Sequence, residues 1–219
     1  MGNLCVGFPL YHQVPATWFG RWLEMDKTSI KSHVWSNGAY ILASMGMIVN
    51  EALKRDEWDR LVIFEHDMLP PVDALAKMAA YEPEHEIVGS VYFQRVFPHG
   101  AIIYTEAMDG STYHPLNASA TRYLCDNPKL HPAGAVGFGF TSIARHVLEQ
   151  WDPETPMFGM DERVGSHDIW FCDRATRQGF DVFVDSSIVC EHLMETPVGI
   201  EHNQQAAVLL EEQCRADTA

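Results

Sequence analysis

The chain has 219 residues, a formal net charge of −15 and 47% hydrophobic residues. This length and composition predict one sizeable globular α/β domain. The acidic balance disfavours binding of duplex nucleic acid through the general field of the protein. Five cysteines without a C-x-x-C pair indicate neither a cysteine zinc site nor a disulfide framework, and predict reduced thiols in a cytoplasm. The chain has no apolar run of the ~20 residues that a membrane-spanning helix needs.

Apolar runs and helical periods alternate through the first half of the chain. The predicted strands there are 4–8, 30–35, 61–64 and 87–93, and the predicted helices are 14–25, 39–54 and 73–81. In the second half we predict a hairpin or bent edge strand over 95–106, a strand over 135–141, helices over 143–150 and 166–178, short strands over 182–184 and 188–190, and a helical tail over 201–215. Residues 107–133 have no clear pattern. The fold class is therefore α/β, with a central, mostly parallel mixed sheet flanked by helices.

Glu65-His66-Asp67 directly follows the apolar run Leu61–Phe64 and precedes Pro70-Pro71. In open α/β sheets, ligands bind outside the carboxyl ends of the strands. Two carboxylates there can hold a hard divalent cation, which in turn can hold phosphate oxygens. The alternative is a solvated strand end in which the Asp67 side chain only stabilises a turn.

Three further stretches carry candidate residues. Asp168 lies in the first turn of the predicted 166–178 helix, where a carboxylate can act as a general base or simply stabilise the helix. His192 follows a short apolar strand and can offer an imidazole to a metal. The run Gly134–Gly139 matches neither a Walker A loop nor a dinucleotide fingerprint, so we interpret it as a strand closely approached by a ligand or backbone.

In their order and spacing, these motifs resemble glycosyltransferases of the GT-A fold, especially small bacterial and phage-type members, over residues 3–195. Glu65-His66-Asp67 with the prolines after it resembles the Asp-x-Asp motif of that family. His167-Asp168-Ile169-Trp170-Phe171-Cys172 resembles Glu-Asp-x-x-Phe-Cys, and His192 ends what resembles the closing strand. Glu65 and His167 depart from the usual residues, and Met45 stands where similar members often carry an arginine.

The resemblance implies a metal-dependent enzyme that transfers a sugar from a nucleotide-diphosphate donor, a UDP-sugar, to a hydroxyl. Asp168 would be catalytic, and Asp67, His192 and Glu65 would hold Mn²⁺ or Mg²⁺. The implied donor-binding residues are Pro9, Tyr11, Glu65, His66 and Asp67, and the implied acceptor-binding residues are Phe138, Gly139, His167 and Asp168. Residues 1–195 would form the transferase domain and 196–219 a helical tail. The acceptor is open, a glycan or a modified base of phage DNA, and a phage-encoded chain would act in the host cytoplasm.

Three alternatives are weighed against this interpretation. A sugar nucleotidyltransferase needs a basic, glycine-rich loop after the first strand, and residues 9–13 contain no Lys, Arg or Gly. A non-catalytic binding module of the same fold would not need Asp67, Asp168 and His192 together. A zinc hydrolase is disfavoured because the chain has no HExxH sequence.

Overall fold

The computed structural model describes residues 2–11, 13–106, 108, 110–194, 199–201, 203, 204 and 208. Its helices are α1 (Ala16–Glu24), α2 (Ile41–Leu53), α3 (Ala74–Met78), α4 (Ala118–Asp126), α5 (Arg145–Glu149) and α6 (His167–Arg177). Its strands are β1 (Leu4–Leu10), β2 (Ile30–Asn37), β3 (Arg60–Phe64), β4 (Met68–Leu69), β5 (Ile87–Val91), β6 (Ile103–Glu106), β7 (Tyr113–Pro115), β8 (Leu130–Pro132), β9 (Ala135–Val136), β10 (Phe140–Ala144), β11 (Val182–Val189) and β12 (Glu191–His192).

A seven-stranded mixed sheet organises the chain, in the order β2-β1-β3-β10-β5-β11-β8. Strands β2, β1, β3, β5 and β11 run in one direction, and β10 and β8 run against them. The carboxyl ends of the five parallel strands therefore meet at one edge of the sheet. Two small sheets, β12-β4 and β7-β6-β9, complete the fold.

The inner strands β3, β10 and β5 are buried on both faces, and β3 shows how the sequence achieves this. Leu61 and Ile63 enter the cluster that packs under α2 and α6, whereas Val62 and Phe64 enter the opposite cluster with α1 and α3. Side chains alternate between faces along a strand, so a continuous apolar run suits a strand covered on both sides. Each face buries enough apolar surface to fix the strand register at the carboxyl edge.

The first strand continues past Pro9, where the sequence predicted its end. β1 pairs with β3 only through Gly7, whereas its pairing with β2 continues to Leu10. Pro9 therefore lies beyond the last residue that pairs with β3, and its missing N–H costs no ladder bond on that side. This extension carries Pro9 and Tyr11 to the carboxyl edge.

The predicted strand over 135–141 is wrong as one element. β9 belongs to the three-stranded sheet and β10 to the central sheet. Gly137 and Gly139 both lie in the connection between these two strands. The group that approaches these glycines is Tyr92: a Cβ on Gly137 would meet the Tyr92 hydroxyl at 2.0 Å, and one on Gly139 would meet Tyr92 Cζ at 2.9 Å. The glycines make room for a buried tyrosine.

Other predicted boundaries also shift. The two short strands around Asp185 form one strand, β11, and the helix predicted over 39–54 is α2, which has Tyr40 at its N-cap. Residues 107–133, which had no clear pattern, include β7, α4 and β8. In the predicted tail helix, Glu201, Asn203, Gln204 and Val208 are helical, and the remaining positions through 215 lie outside the described residues. Within the described part of the chain, none of the helices has the length and apolar character to span a bilayer.

Candidate functional site

The Glu65-His66-Asp67 turn lies at the carboxyl edge and is fixed through its backbone. The Trp18 indole Nε1 donates to the Glu65 carbonyl at 2.9 Å, and the Glu65 N–H donates to the Gly139 carbonyl at 2.9 Å. The Met68 N–H closes the turn onto the same Glu65 carbonyl at 3.2 Å. These bonds hold the side chains of the turn in one place before any ligand binds.

Strand β12 brings His192 to Asp67. His192 pairs with Met68 across the β4–β12 ladder, and the Leu193 N–H donates to the Asp67 carbonyl at 2.7 Å. The His192 Nε2 then lies 3.3 Å from Asp67 Oδ2. Two of the three residues predicted to hold a metal are therefore neighbours.

The hydrogen bonding of this pair fits a bound cation. His192 Nδ1 lies 2.7 Å from the carbonyl oxygen of Phe93, which can only accept, so Nδ1 carries a proton. Nε2 then faces a carboxylate oxygen, which requires either a second proton on the imidazole or a cation shared by the two atoms. The other oxygen, Asp67 Oδ1, is buried without a hydrogen-bond partner among the described residues. A buried oxygen of this kind is a natural metal ligand.

Asp67 is also kept ionised by its neighbours. Burial raises its pKa, but the hydrogen bond and charge of His192 and the charge of Arg95 outweigh burial and hold the pKa below its usual value. The Arg95 Nη1 lies 3.2 Å from Asp67 Oδ2. A carboxylate that is negative at neutral pH is ready to bind a hard cation.

Glu65 differs from Asp67 in its protonation. Burial, with the negative charges of Asp67 and Asp168, raises its pKa to about 8. Within the described part of the chain, no three His, Cys, Asp or Glu side chains converge closely enough to hold a metal, so Glu65 does not complete a three-ligand set. The Asp67–His192 pair suits a cation that takes its remaining ligands from phosphate and water, as Mg²⁺ commonly does.

A cavity of about 290 Å³ opens beside this turn. Every residue predicted to bind the donor lines it, together with residues from the end of β1 and the start of α2: Pro9, Leu10, Tyr11, Ala39, Tyr40, Ile41, Ser44, Glu65, His66 and Asp67. The Nδ1 of His66 is buried here without a partner among the described residues. Tyr11 and Tyr40 are 56% and 66% exposed, so their rings are accessible to a ligand.

Asp168 lies in the first turn of α6. It is buried, and its Oδ1 accepts bonds from the Ser166 hydroxyl and from the Ile169 N–H at 2.9 Å. Its charge contributes to the raised pKa of Glu65, and burial with the same charge raises the pKa of Tyr104 to about 12. The charge of Asp168 therefore acts on Glu65 of the turn and on Tyr104 of β6.

The similarities of this chain to known proteins are found among solved structures and not among sequences. No family model and no curated protein matches the sequence. A197 from STIV superposes with a TM-score of 0.67 and 15% identity, covering 91% of each chain. GalNAc-T7, solved with UDP, GalNAc and Mn²⁺, superposes with a TM-score of 0.57 and 10% identity, covering 89% of this chain and 43% of that one. The chain has the GT-A fold. At these identities the likeness concerns the fold, and the predicted fold class is confirmed.

The predicted acceptor residues of this domain differ in burial and in their contacts. Phe138 is 1% exposed and packs against Phe158 and Phe171, so its side chain cannot contact an acceptor from the core. The prediction for that side chain is corrected to a packing role. His167 packs edge-on against Phe138, burial lowers its pKa, and its Nε2 has no partner among the described residues. The backbone of Gly139 is already bonded on both sides: its N–H donates to the Tyr92 hydroxyl at 3.1 Å, and its carbonyl accepts from the Glu65 N–H.

The cavity also contains residues that the sequence did not single out. Tyr40, Ile41 and Ser44 lie where β2 ends and α2 begins, at the same sheet edge as the β1 and β3 ends. The rule that ligands bind beyond parallel strand ends would have found them, had the end of β2 been treated like that of β3. Met45, the position where an arginine was expected, is buried in the core and leaves the cavity wall to Ser44.

Proposed function

We propose that this chain is a metal-dependent glycosyltransferase that moves a sugar from a UDP-sugar to a hydroxyl acceptor. The observation that carries the proposal is the Asp67–His192 pair: Asp67 lines the cavity of about 290 Å³, and its buried Oδ1 has no hydrogen-bond partner among the described residues. The UDP and Mn²⁺ of the GalNAc-T7 structure support the same choice of donor and metal. A shared fold alone does not transfer a donor or a metal from one protein to another, so UDP and Mn²⁺ are part of the proposal.

On the donor side, each residue has a separate task. Asp67 and His192 hold Mn²⁺ or Mg²⁺, which neutralises the charge of the departing diphosphate when bound. Tyr11 and Tyr40 offer ring faces to the nucleobase, and Pro9 and His66 shape the cavity between base and diphosphate. Glu65, protonated at neutral pH, can donate a hydrogen bond to the donor ribose or to a metal-bound water.

On the acceptor side, Asp168 is the proposed catalytic residue. Its Oδ1 is occupied by bonds from Ser166 and Ile169, which orient the carboxylate. In an inverting reaction Asp168 would remove the proton of the acceptor hydroxyl, and in a retaining one it would position the acceptor. His167, neutral at physiological pH, lies beside it and can contact the acceptor.

The remaining predictions belong to the same proposal. Residues 1–195 are the proposed transferase domain and residues 196–219 the proposed helical tail, in which Asn203, one of the described residues, donates to the His99 carbonyl at 2.7 Å. Within the described residues, Cys5, Cys125, Cys172 and Cys190 are free, as a reducing cytoplasm would keep them. A glycan and a modified base of phage DNA remain the proposed acceptors, since both present hydroxyls.

A donor screen tests the activity. Nucleotide sugars are added with Mn²⁺ or with chelator, the melting temperature is recorded, and release of nucleoside diphosphate is then measured for each donor that stabilises the protein. Ligand at about 100 times its Kd adds roughly 2.7 kcal/mol of stability. We expect a metal-dependent rise with UDP-sugars, followed by turnover. Binding without turnover of any donor would favour a binding module, and nucleoside triphosphate made from a sugar nucleotide and pyrophosphate would favour a nucleotidyltransferase.

A further inference from the structure

The loop that follows β5 carries an arginine into the Asp67 site. The loop spans 94–100 and is closed at its base by the bond from the Gln94 N–H to the Gly100 carbonyl, at 2.9 Å. A bridge between Phe93 and Ala101 fixes its two ends. The backbone of the 94–100 loop is thus held, whereas the Arg95 side chain is 51% exposed and can change partners.

The electrostatics of the site call for a second cation. Asp67 and Asp168 supply two carboxylates, and the described residues that line the cavity include no Lys or Arg. A nucleoside diphosphate adds further negative charge to a chain with a net charge of −15. A guanidinium matches two phosphate oxygens at once, which an ammonium or a hydroxyl cannot do.

Arg95 and a divalent cation would compete for the same carboxylate. Arg95 Nη1 lies 3.2 Å and His192 Nε2 lies 3.3 Å from a single atom, Asp67 Oδ2. A cation held by Asp67 and His192 would place like charges beside Arg95, which weakens its pairing with Asp67. The side chain is then free to bind the newly arrived diphosphate.

We propose that Arg95 is a positioning residue that pairs with Asp67 in the empty site and exchanges that carboxylate for the donor diphosphate when the metal binds. The inference rests on the proposed function, because it requires a metal and a diphosphate at this edge. Its consequence is coupling: Arg95 opposes metal binding in the absence of nucleotide and favours nucleotide binding once metal is present.

The experiment measures two affinities in Arg95→Gln. Mn²⁺ binding without nucleotide is followed by the paramagnetic resonance of free Mn²⁺, and UDP binding at saturating Mn²⁺ by calorimetry. We expect Mn²⁺ to bind about two- to fivefold more tightly, the range of a half-exposed ion pair, and UDP to bind about tenfold more weakly. Arg95→Lys should fall between the variant and the wild type. Arg122→Gln is the matched control, because it removes the same charge from an exposed pair on α4 and should change neither affinity.

The outcomes separate this inference from the proposed function. If the wild type binds Mn²⁺ and UDP but Arg95→Gln leaves both affinities unchanged, or weakens Mn²⁺ binding, the exchange is wrong and the glycosyltransferase proposal stands. If the folded wild type binds neither Mn²⁺ nor UDP, the proposed function fails, and the inference fails with it.

Discussion

His192 Nε2 lies 3.3 Å from Asp67 Oδ2, although the two residues are 125 positions apart in the chain. The short β4–β12 ladder produces this contact, because it pairs His192 with Met68, the residue next to Asp67. A sequence change that shifted this ladder by one residue would turn the imidazole to the other face and dissolve the pair. The proposed metal site therefore depends on two strands of two residues each.

Asp67→Asn should weaken Mn²⁺ binding while leaving the fold intact. The amide keeps the size of the side chain but removes the negative charge, and hard cations prefer carboxylate oxygens. We expect the Mn²⁺ affinity, measured by paramagnetic resonance, to fall by at least about tenfold. Asp126→Asn, an exposed carboxylate on α4, is the control and should bind Mn²⁺ as the wild type does. Undiminished Mn²⁺ binding by Asp67→Asn would place the metal elsewhere.

Tyr40→Ala should weaken UDP binding with little effect on stability. The ring is 66% exposed at the cavity wall, so its removal costs ligand contact rather than core packing. An aromatic contact is worth about 1 kcal/mol, which corresponds to roughly a fivefold loss of affinity in a titration with UDP and Mn²⁺. Tyr123→Ala removes a similarly exposed ring outside this cavity and should bind UDP normally. Equal affinities for the two variants would argue against a nucleobase beside Tyr40.

Asp168→Asn should separate donor binding from transfer. The amide oxygen can still accept the bonds from Ser166 and Ile169, so the start of α6 is preserved. Loss of the carboxylate base should lower the transfer rate by about 10²- to 10⁴-fold, as measured by single-turnover kinetics, with unchanged UDP affinity. Transfer at the wild-type rate would remove Asp168 from the catalytic role.

Gly137→Ala should destabilise the protein through Tyr92. An added Cβ would meet the Tyr92 hydroxyl at 2.0 Å and Ile102 Cγ2 at 2.5 Å, and the two neighbours are tied to each other because the Ile102 N–H donates to the Tyr92 carbonyl at 3.0 Å. We expect a loss of about 2 kcal/mol in the free energy of unfolding by denaturant. Gly46→Ala is the control: nothing lies within 4 Å of its added Cβ in α2, so it should stabilise by about 0.5–1 kcal/mol. A neutral Gly137→Ala would mean that Tyr92 has room to move.

The stabilising contribution of Asp173 should be lost at acid pH. Its side chain is 1% exposed and binds Arg163, Arg177 and the Tyr113 hydroxyl, which ties the 152–166 loop and β7 to α6. Burial raises its pKa, but the arginine bonds outweigh burial and hold the pKa below its usual value. The unfolded state therefore takes up the proton first, so this contribution is complete above pH ~4 and is lost as the pH falls through the folded pKa.

The corresponding measurement compares denaturant unfolding of the wild type and Asp173→Asn between pH 7 and pH 3. The variant should lose about 3 kcal/mol at pH 7, because the arginines keep their charge without a buried partner. The difference between the two proteins should shrink as the pH falls. A difference that stays constant to pH 3 would mean that Asp173 keeps an ordinary pKa.

Local sequence patterns predicted the strands and the candidate residues better than the connections between them. The run Leu61–Phe64 and the acids after it specify β3 and its turn, because a strand buried on both faces needs continuous apolar residues. The glycines of 134–139 suggested an approaching ligand or backbone, whereas the group that approaches Gly137 is the Tyr92 hydroxyl. Arg95 has no local signal at all: its relation to Asp67 depends on the tertiary path of the 94–100 loop.

The central claim is that Asp67 and His192 hold a cation that binds the donor diphosphate, and calorimetric titration of the wild type with UDP tests it most directly. The titration is run once with Mn²⁺ and once with chelator, and the mixture with Mn²⁺ is repeated with Asp67→Asn. We expect UDP to bind the wild type with Mn²⁺, to bind at least about tenfold more weakly in chelator, and to lose its Mn²⁺ dependence in the variant. Equal UDP affinity with Mn²⁺ and with chelator, or no binding by the wild type under either condition, would contradict the claim.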